Sequence, residues 1–150
     1  DITNWPTTLT QVYIIGSNTI TGPLSGLTAC TGLSRFQIYG ANTIYGDLND
    51  LPSNVRSLII EGSNAISDYT SPSGGKTWPT DPIFFSILPA SGGGLSSTEV
   101  DDLIIDLAAS ITATRNMNIN LRGNNAARTS ASDAAVATLA AKNRTVLTNP

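Results

Sequence analysis

The chain has 150 residues, a net charge of −3 and 13% charged residues, a length that suits one domain able to bury a real core. Its two lysines, Lys76 and Lys142, sit in a background rich in Ser, Thr, Asn and Gly; a basic footprint for nucleic acid is missing, and no apolar run approaches the ~20 residues of a membrane span. His is absent and Cys30 is the single cysteine, which excludes an internal disulfide framework and argues against a zinc site.

In chain order, the sequence repeats itself. QVYIIGSNTITG from Gln11, RFQIYGANTIYG from Arg35 and SLIIEGSNAISD from Ser57 align on a Gly-x-Asn triplet: Gly16–Asn18, Gly40–Asn42 and Gly62–Asn64. A fourth copy, MNINLRGNNAA, carries Gly123 and Asn125. Four residues before each Asn stand Ile14, Ile38, Ile60 and Leu121; six before stand Val12, Phe36, Leu58 and Ile119; two after stand Ile20, Ile44, Ile66 and Ala127. Apolar residues at alternate positions before the Gly predict a short strand with one buried face. A copy without the Asn, TWPTDPIFFSILPAS, sets Phe85 and Ile87 at the strand positions and Ser91 at the Asn position. Trp5-Pro6, Leu51-Pro52 and Trp78-Pro79 are matching lead-ins.

The last third changes period. LSSTEVDDLIIDLAASI predicts a helix, with Ser96 and Glu99 as a capping box, Leu95 and Val100 as a hydrophobic staple, and Val100, Leu103, Ile104, Leu107 and Ile111 on one face. The strand MNINL follows. A second helix over about 131–142 is expected to bury Ala135, Val136, Leu139 and Ala140, with Asn143 as its stop. TVLT is the final strand. The expectation is therefore an α/β chain of about six parallel strands, near 12–14, 36–38, 58–60, 84–87, 117–121 and 145–147. The first connections are expected to be irregular turns and the last two helical crossovers.

The repeating unit resembles the leucine-rich repeat, L-x-x-L-x-L-x-x-N-x-L, over about residues 5–127. The match is degenerate: Ile, Val and Phe replace many leucines. Together with the ending LRGNNAARTSASDAAVATLAAKNRTVLTN, it looks like leucine-rich domains of gut bacterial surface proteins and of tailed-phage structural proteins. The resemblance implies a single leucine-rich-repeat domain over 1–150, a curved solenoid with its strands on the concave side. It also implies a structural ladder of Asn18, Asn42, Asn64 and Asn125. That role has a physical reason, because a buried turn leaves N–H and C=O groups that an Asn amide can satisfy together.

Catalysis finds no support. There is no His for general-base work, no G-x-S-x-G elbow and no phosphate loop. SGGG at 91–94 lacks a Lys and reads as a plain loop. Asp101, Asp102 and Asp106 read as a solvated helix face, since calcium wants six to eight oxygens from a folded loop. No metal and no cofactor are expected. Cys30 reads as a small buried hydrophobe, SDYTSPSGGKTWP as a tolerated surface loop, and Asn143-Arg144-Thr145 as a glycosylation sequon.

If Val12, Ile14 and their equivalents point inward, the residues between them point out. Tyr13, Ile15, Arg35, Tyr39, Ile59, Glu61, Phe84 and Arg122 are thus the candidate binding residues, with Tyr, Phe and Arg among the side chains that serve binding hot spots. The expected function is a non-enzymatic module contacting a protein or glycan partner, or copies of itself, in an extracellular, cell-surface or virion setting. The alternative is a structural building block of an extracellular fibre or phage particle. Asp1-Ile2 reads as the tail of a preceding repeat, with Ile2 in the role of Ile20 or Ile44. The N-terminal side is then uncapped, and a longer chain or an assembly is expected to cover it.

Overall fold

The computed structural model describes residues 1–16, 20–90 and 92–150; the Asn18 and Ser91 assignments lie outside them. The described residues form an α/β arrangement of nine strands and two α-helices. Six strands make one parallel sheet in the order β1 (Gln11–Ile14), β3 (Arg35–Ile38), β5 (Ser57–Gly62), β7 (Phe84–Pro89), β8 (Met117–Leu121) and β9 (Arg144–Thr148). The repeat spacing sets the register, with Val12 opposite Phe36, Phe36 opposite Leu58, Leu58 opposite Phe85, Phe85 opposite Ile119 and Ile119 opposite Val146. Apolar side chains thus stack in rows on one face, and most are buried in one core cluster with Ile44, Ile66 and Leu24.

The first connections are not irregular. Three short strands, β2 (Thr21–Pro23), β4 (Thr43–Asp47) and β6 (Ala65–Asp68), form a second parallel sheet. Stacking successive turns brings their backbones side by side, and the unpaired N–H and C=O groups pair with one another. Gly22, rather than Ile20, lies opposite Ile44, a slip of two residues that preserves the inward face of Ile44 and Ile66. Short 3-10 turns follow two of these strands at Leu24–Leu27 and Leu48–Asp50, and a third opens the chain at Ile2–Asn4. Asp1 accepts from Thr3 N at 2.9 Å and Asp47 from Asn49 N at 2.7 Å. Ile2 is fully buried as the first residue of its turn, so its counterparts are Leu24 and Leu48 and not Ile20 or Ile44.

The last two crossovers are helical. Helix α1 (Ser97–Ser110) starts at the capping box: Ser96 Oγ accepts from Glu99 N and Glu99 Oε2 accepts from Ser96 N. Its stripe Val100, Leu103, Ile104 and Leu107, continued by Ile111, is buried in the core. Helix α2 (Asp133–Ala140) is shorter than its sequence suggests, because a 3-10 turn at Ser130–Ser132 takes the preceding residues. It buries Leu139, half-buries Ala135 and Val136, and leaves Ala140 exposed. Asn143 adopts φ 58°, the left-handed conformation that ends helices and that Asn tolerates well.

Candidate functional site

The outward face of the six-stranded sheet has three rows. The middle row runs Tyr13, Gln37, Ile59, Ser86, Asn120, Leu147 across neighbouring strands. It is not uniformly open. Tyr13 is 59% exposed on edge strand β1, whereas Ile59 is 9% exposed on central β5. Ile59 is therefore corrected from a solvent-facing anchor to a packed residue: it has neighbours on both sides, while an edge residue has them on one. Gln37 is also buried and donates from Nε2 to Ser57 Oγ at 2.5 Å; Ser86 donates to Glu61 Oε1 at 2.9 Å. Polar bonds thus tie the centre of the face together.

The rim is where large side chains reach solvent. Ile15 is 63% exposed and Phe84 52% exposed; Arg35 and Arg122 are exposed, and Tyr39 and Glu61 half-buried. Tyr13 and Tyr39 meet edge to face with ring centroids 6.3 Å apart, a geometry in which aromatic pairs attract. Burial, helped by the nearby Glu61 charge and by Tyr13, raises the Tyr39 hydroxyl above its ordinary pKa. The face brings Tyr13, Ile15 and Tyr39 together at one end. Phe84 and Arg122 stand on β7 and after β8, farther along the same sheet.

Behind this face runs a buried polar spine. Asn42, Asn64 and Asn125 are each at most 3% exposed, and each donates to the carbonyl three residues earlier, Tyr39, Glu61 and Arg122 respectively. Asn64 Oδ1 accepts from Ile44 N of the preceding turn at 3.1 Å, and Asn125 Oδ1 accepts from Leu95 N at 2.9 Å. Asn42 Oδ1 has no partner among the described residues. The glycines two before these Asn positions stack as closely. A Cβ on Gly62 would lie 2.3 Å from Gly40 O, and one on Gly40 would lie 2.5 Å from Gly16 O.

The aspartates of α1 are not a solvated face. Asp101 and Asp106 are buried, and only Asp102 is half-exposed. Asp101 accepts from Thr129 N, Thr129 Oγ1 and Ser132 Oγ. Burial pushes its carboxyl up, but those hydrogen bonds prevail and hold it below the usual range. Asp106 Oδ2 accepts from Tyr69 OH at 2.5 Å, Ser71 Oγ at 2.8 Å and Lys76 N at 3.0 Å. The segment read as a surface loop is thereby anchored: Tyr69, Lys76 and Trp78 are buried. Lys76 Nζ donates to the Asn49 and Leu51 carbonyls, over the Trp78 ring at 5.1 Å. Burial lowers the Lys76 pKa, partly offset by Asp47, Asp50 and Asp106.

Sequence reasoning missed one charged cluster altogether. Asp81 accepts from Arg56, Arg115 and Arg144, partners 25, 34 and 63 residues away, and no motif marks them. The Arg115 hydrogen bonds, then those of Arg144 and the charges of Arg115 and Arg56, outweigh burial and pull the Asp81 carboxyl down to about 2. Among the described residues, no three of His, Cys, Asp and Glu lie together so as to hold a metal ion, and no helix is long and apolar enough to cross a membrane. Comparison with protein-family models, curated proteins and solved structures finds no match to this chain.

Proposed function

We propose that this chain is a leucine-rich-repeat solenoid segment whose strand face contacts a protein or glycan partner at a cell surface or on a virion, without catalysing a reaction. The solenoid reading is supported by the parallel strand order, which follows the chain, and by the Asn and Gly side-by-side stacking in successive turns. The observation that carries the binding reading is the rim of the outward face. Tyr13, Ile15 and Phe84 are each more than half exposed on a sheet whose centre is tied down by its own polar bonds. Large exposed side chains on a sheet face are what recognition surfaces use. Non-catalytic work is supported by the absence of His from the sequence.

A second reading, a building block of a fibre or particle, is favoured by the β1 edge. Among the described residues β1 pairs with β3 alone, and Trp5, Leu9, Val12 and Ile14 line a shallow groove of about 250 Å³ beside it. The segment 1–34 holds one charged residue, Asp1, so the charges that usually protect an edge strand from pairing are missing.

The test is binding of the 150-residue chain to an immobilised panel of glycans and candidate surface proteins, with sedimentation velocity run alongside. Tyr13→Ala/Phe84→Ala should lose partner binding while keeping the wild-type melting temperature. Retained binding by that pair would remove the face from consideration. Concentration-dependent growth in solution mass without partner binding would favour the building-block reading.

A further inference from the structure

Four residues distant in sequence meet at the N-terminal end of the six strands. Arg56 immediately precedes β5, Asp81 and Arg115 lie just before β7 and β8, and Arg144 opens β9. The Asp81 carboxylate accepts from Arg56 Nη2 at 3.0 Å, from Arg115 Nε and Nη2 at 3.0 and 2.9 Å, and from Arg144 Nη2 at 3.1 Å. Arg144 is fully buried and directs its remaining Nη donors to the Pro82 and Ala113 carbonyls and to Met117 Sδ. It is a structural pin.

The other two arginines differ. Their side chains are 48% and 46% exposed. Arg56 spends Nε on the Asp81 carbonyl and Nη2 on its carboxylate; Arg115 spends Nε and Nη2 on the carboxylate. The Nη1 group of each has no partner among the described residues. Charge does not balance either. Three guanidiniums face one carboxylate, and among the described residues no other acid pairs with any of them. The cluster therefore carries two positive charges in a chain whose net charge is −3. Beside it opens a cleft of about 430 Å³, lined by Arg56, Asp81, Thr80, Ser53 and Asn54 around Trp78 and Pro79.

We propose that this cluster is an oxyanion site, in which Asp81 positions Arg56 at the wall of the cleft and holds Arg115 on its other side, and the cleft takes a carboxylate or sulfate group of an acidic ligand. Guanidiniums recognise planar or tetrahedral oxyanions by paired N–H donors. Holding them on Asp81 beforehand removes most of the side-chain ordering cost from the binding step. Ser53 and Thr80 line the cleft beside Arg56. The chain's overall negative charge makes a single oxyanion group, and not a polyanion such as nucleic acid, the fitting ligand. The proposal rests on the charge cluster and its cleft, and its standing does not depend on the reading of the outward rim, although Phe84 opens the strand that Asp81 precedes.

The experiment titrates the ¹⁵N-labelled chain with sodium sulfate, and separately with sodium acetate, at constant ionic strength balanced by sodium chloride. The arginine Nε–Hε resonances are followed. Arg56 and Arg115 should shift along a common saturable curve, while Arg35, Arg122 and Arg128 do not saturate. Saturation with sulfate alone identifies a tetrahedral ligand group and with acetate alone a carboxylate. Arg56→Gln should weaken the Arg115 response by about tenfold, as expected for a lost charged hydrogen bond, and Arg128→Gln should leave it unchanged. Linear, equal shifts at all exposed arginines with both anions would overturn the proposal. So would a saturable response that survives unaltered in Arg56→Gln.

Discussion

Replacing Gly62 by Ala adds one methyl group and should destabilise the chain clearly. Gly62 sits at φ +92°, where an L-residue costs about 1–2 kcal/mol. Its new Cβ would lie 2.3 Å from Gly40 O, 2.9 Å from Gly40 C and 3.0 Å from Gly40 N. These are backbone atoms and have no rotamer by which to escape. The backbone after β3 and the end of β5 must part by about 1 Å to restore van der Waals contact. Parting them breaks Ser63 N–H to Gly40 O, 3.2 Å long, and with Ser63 exposed the lost bond costs about 0.5–1.5 kcal/mol. The total is about 1.5–3.5 kcal/mol, a sizeable part of the ~5–15 kcal/mol a domain usually has. Gly16→Ala is the matched control. Its φ is +100°, yet a Cβ there meets nothing within 4 Å among the described residues, so only the conformational cost of about 1–2 kcal/mol applies. Urea unfolding followed by fluorescence of Trp5 and Trp78 measures both. The gap should be about 0.5–1.5 kcal/mol, some two- to twelvefold in the folding constant. Equal midpoints for the two variants would refute the stacked-glycine argument.

Asn64→Ala leaves Ile44 N and the Glu61 carbonyl without their buried partner and should cost about 2–3 kcal/mol in urea unfolding. Asn54→Ala, exposed with one bond to the Thr31 carbonyl, should cost under about 1 kcal/mol. Asp106→Ala strands the Tyr69, Ser71 and Lys76 donors; a loss of about 2–4 kcal/mol is expected against little for half-exposed Asp102→Ala, read by thermal unfolding. The Asp81 carboxyl is depressed in the folded chain from 3.8 to about 2. Its contribution is therefore complete above pH 4 and is lost as pH falls toward 2. Stability measured against pH should drop across that window, and Asp81→Asn should flatten the drop.

The sequence by itself determined the strands of the large sheet, because alternation of apolar residues is a local property of the backbone. Val12, Phe36, Leu58, Phe85 and Ile119 could be aligned before any contact was known, and the cap at Ser96 and Glu99 is likewise local. What tertiary structure decided was the number of neighbours each residue has. Tyr13 and Ile59 occupy equivalent repeat positions, yet an edge strand leaves one exposed and a central strand buries the other. Asp101 and Asp106 look like solvent-facing charges on a helix until Thr129, Ser132, Tyr69 and Lys76 arrive from elsewhere. The second sheet appeared because short segments with weak patterns were stacked at one spacing and paired their backbones. The Asp81 cluster is the extreme case: an ion pair needs proximity and not pattern, and Arg56, Arg115 and Arg144 become neighbours only when the strands that follow or contain them are laid side by side.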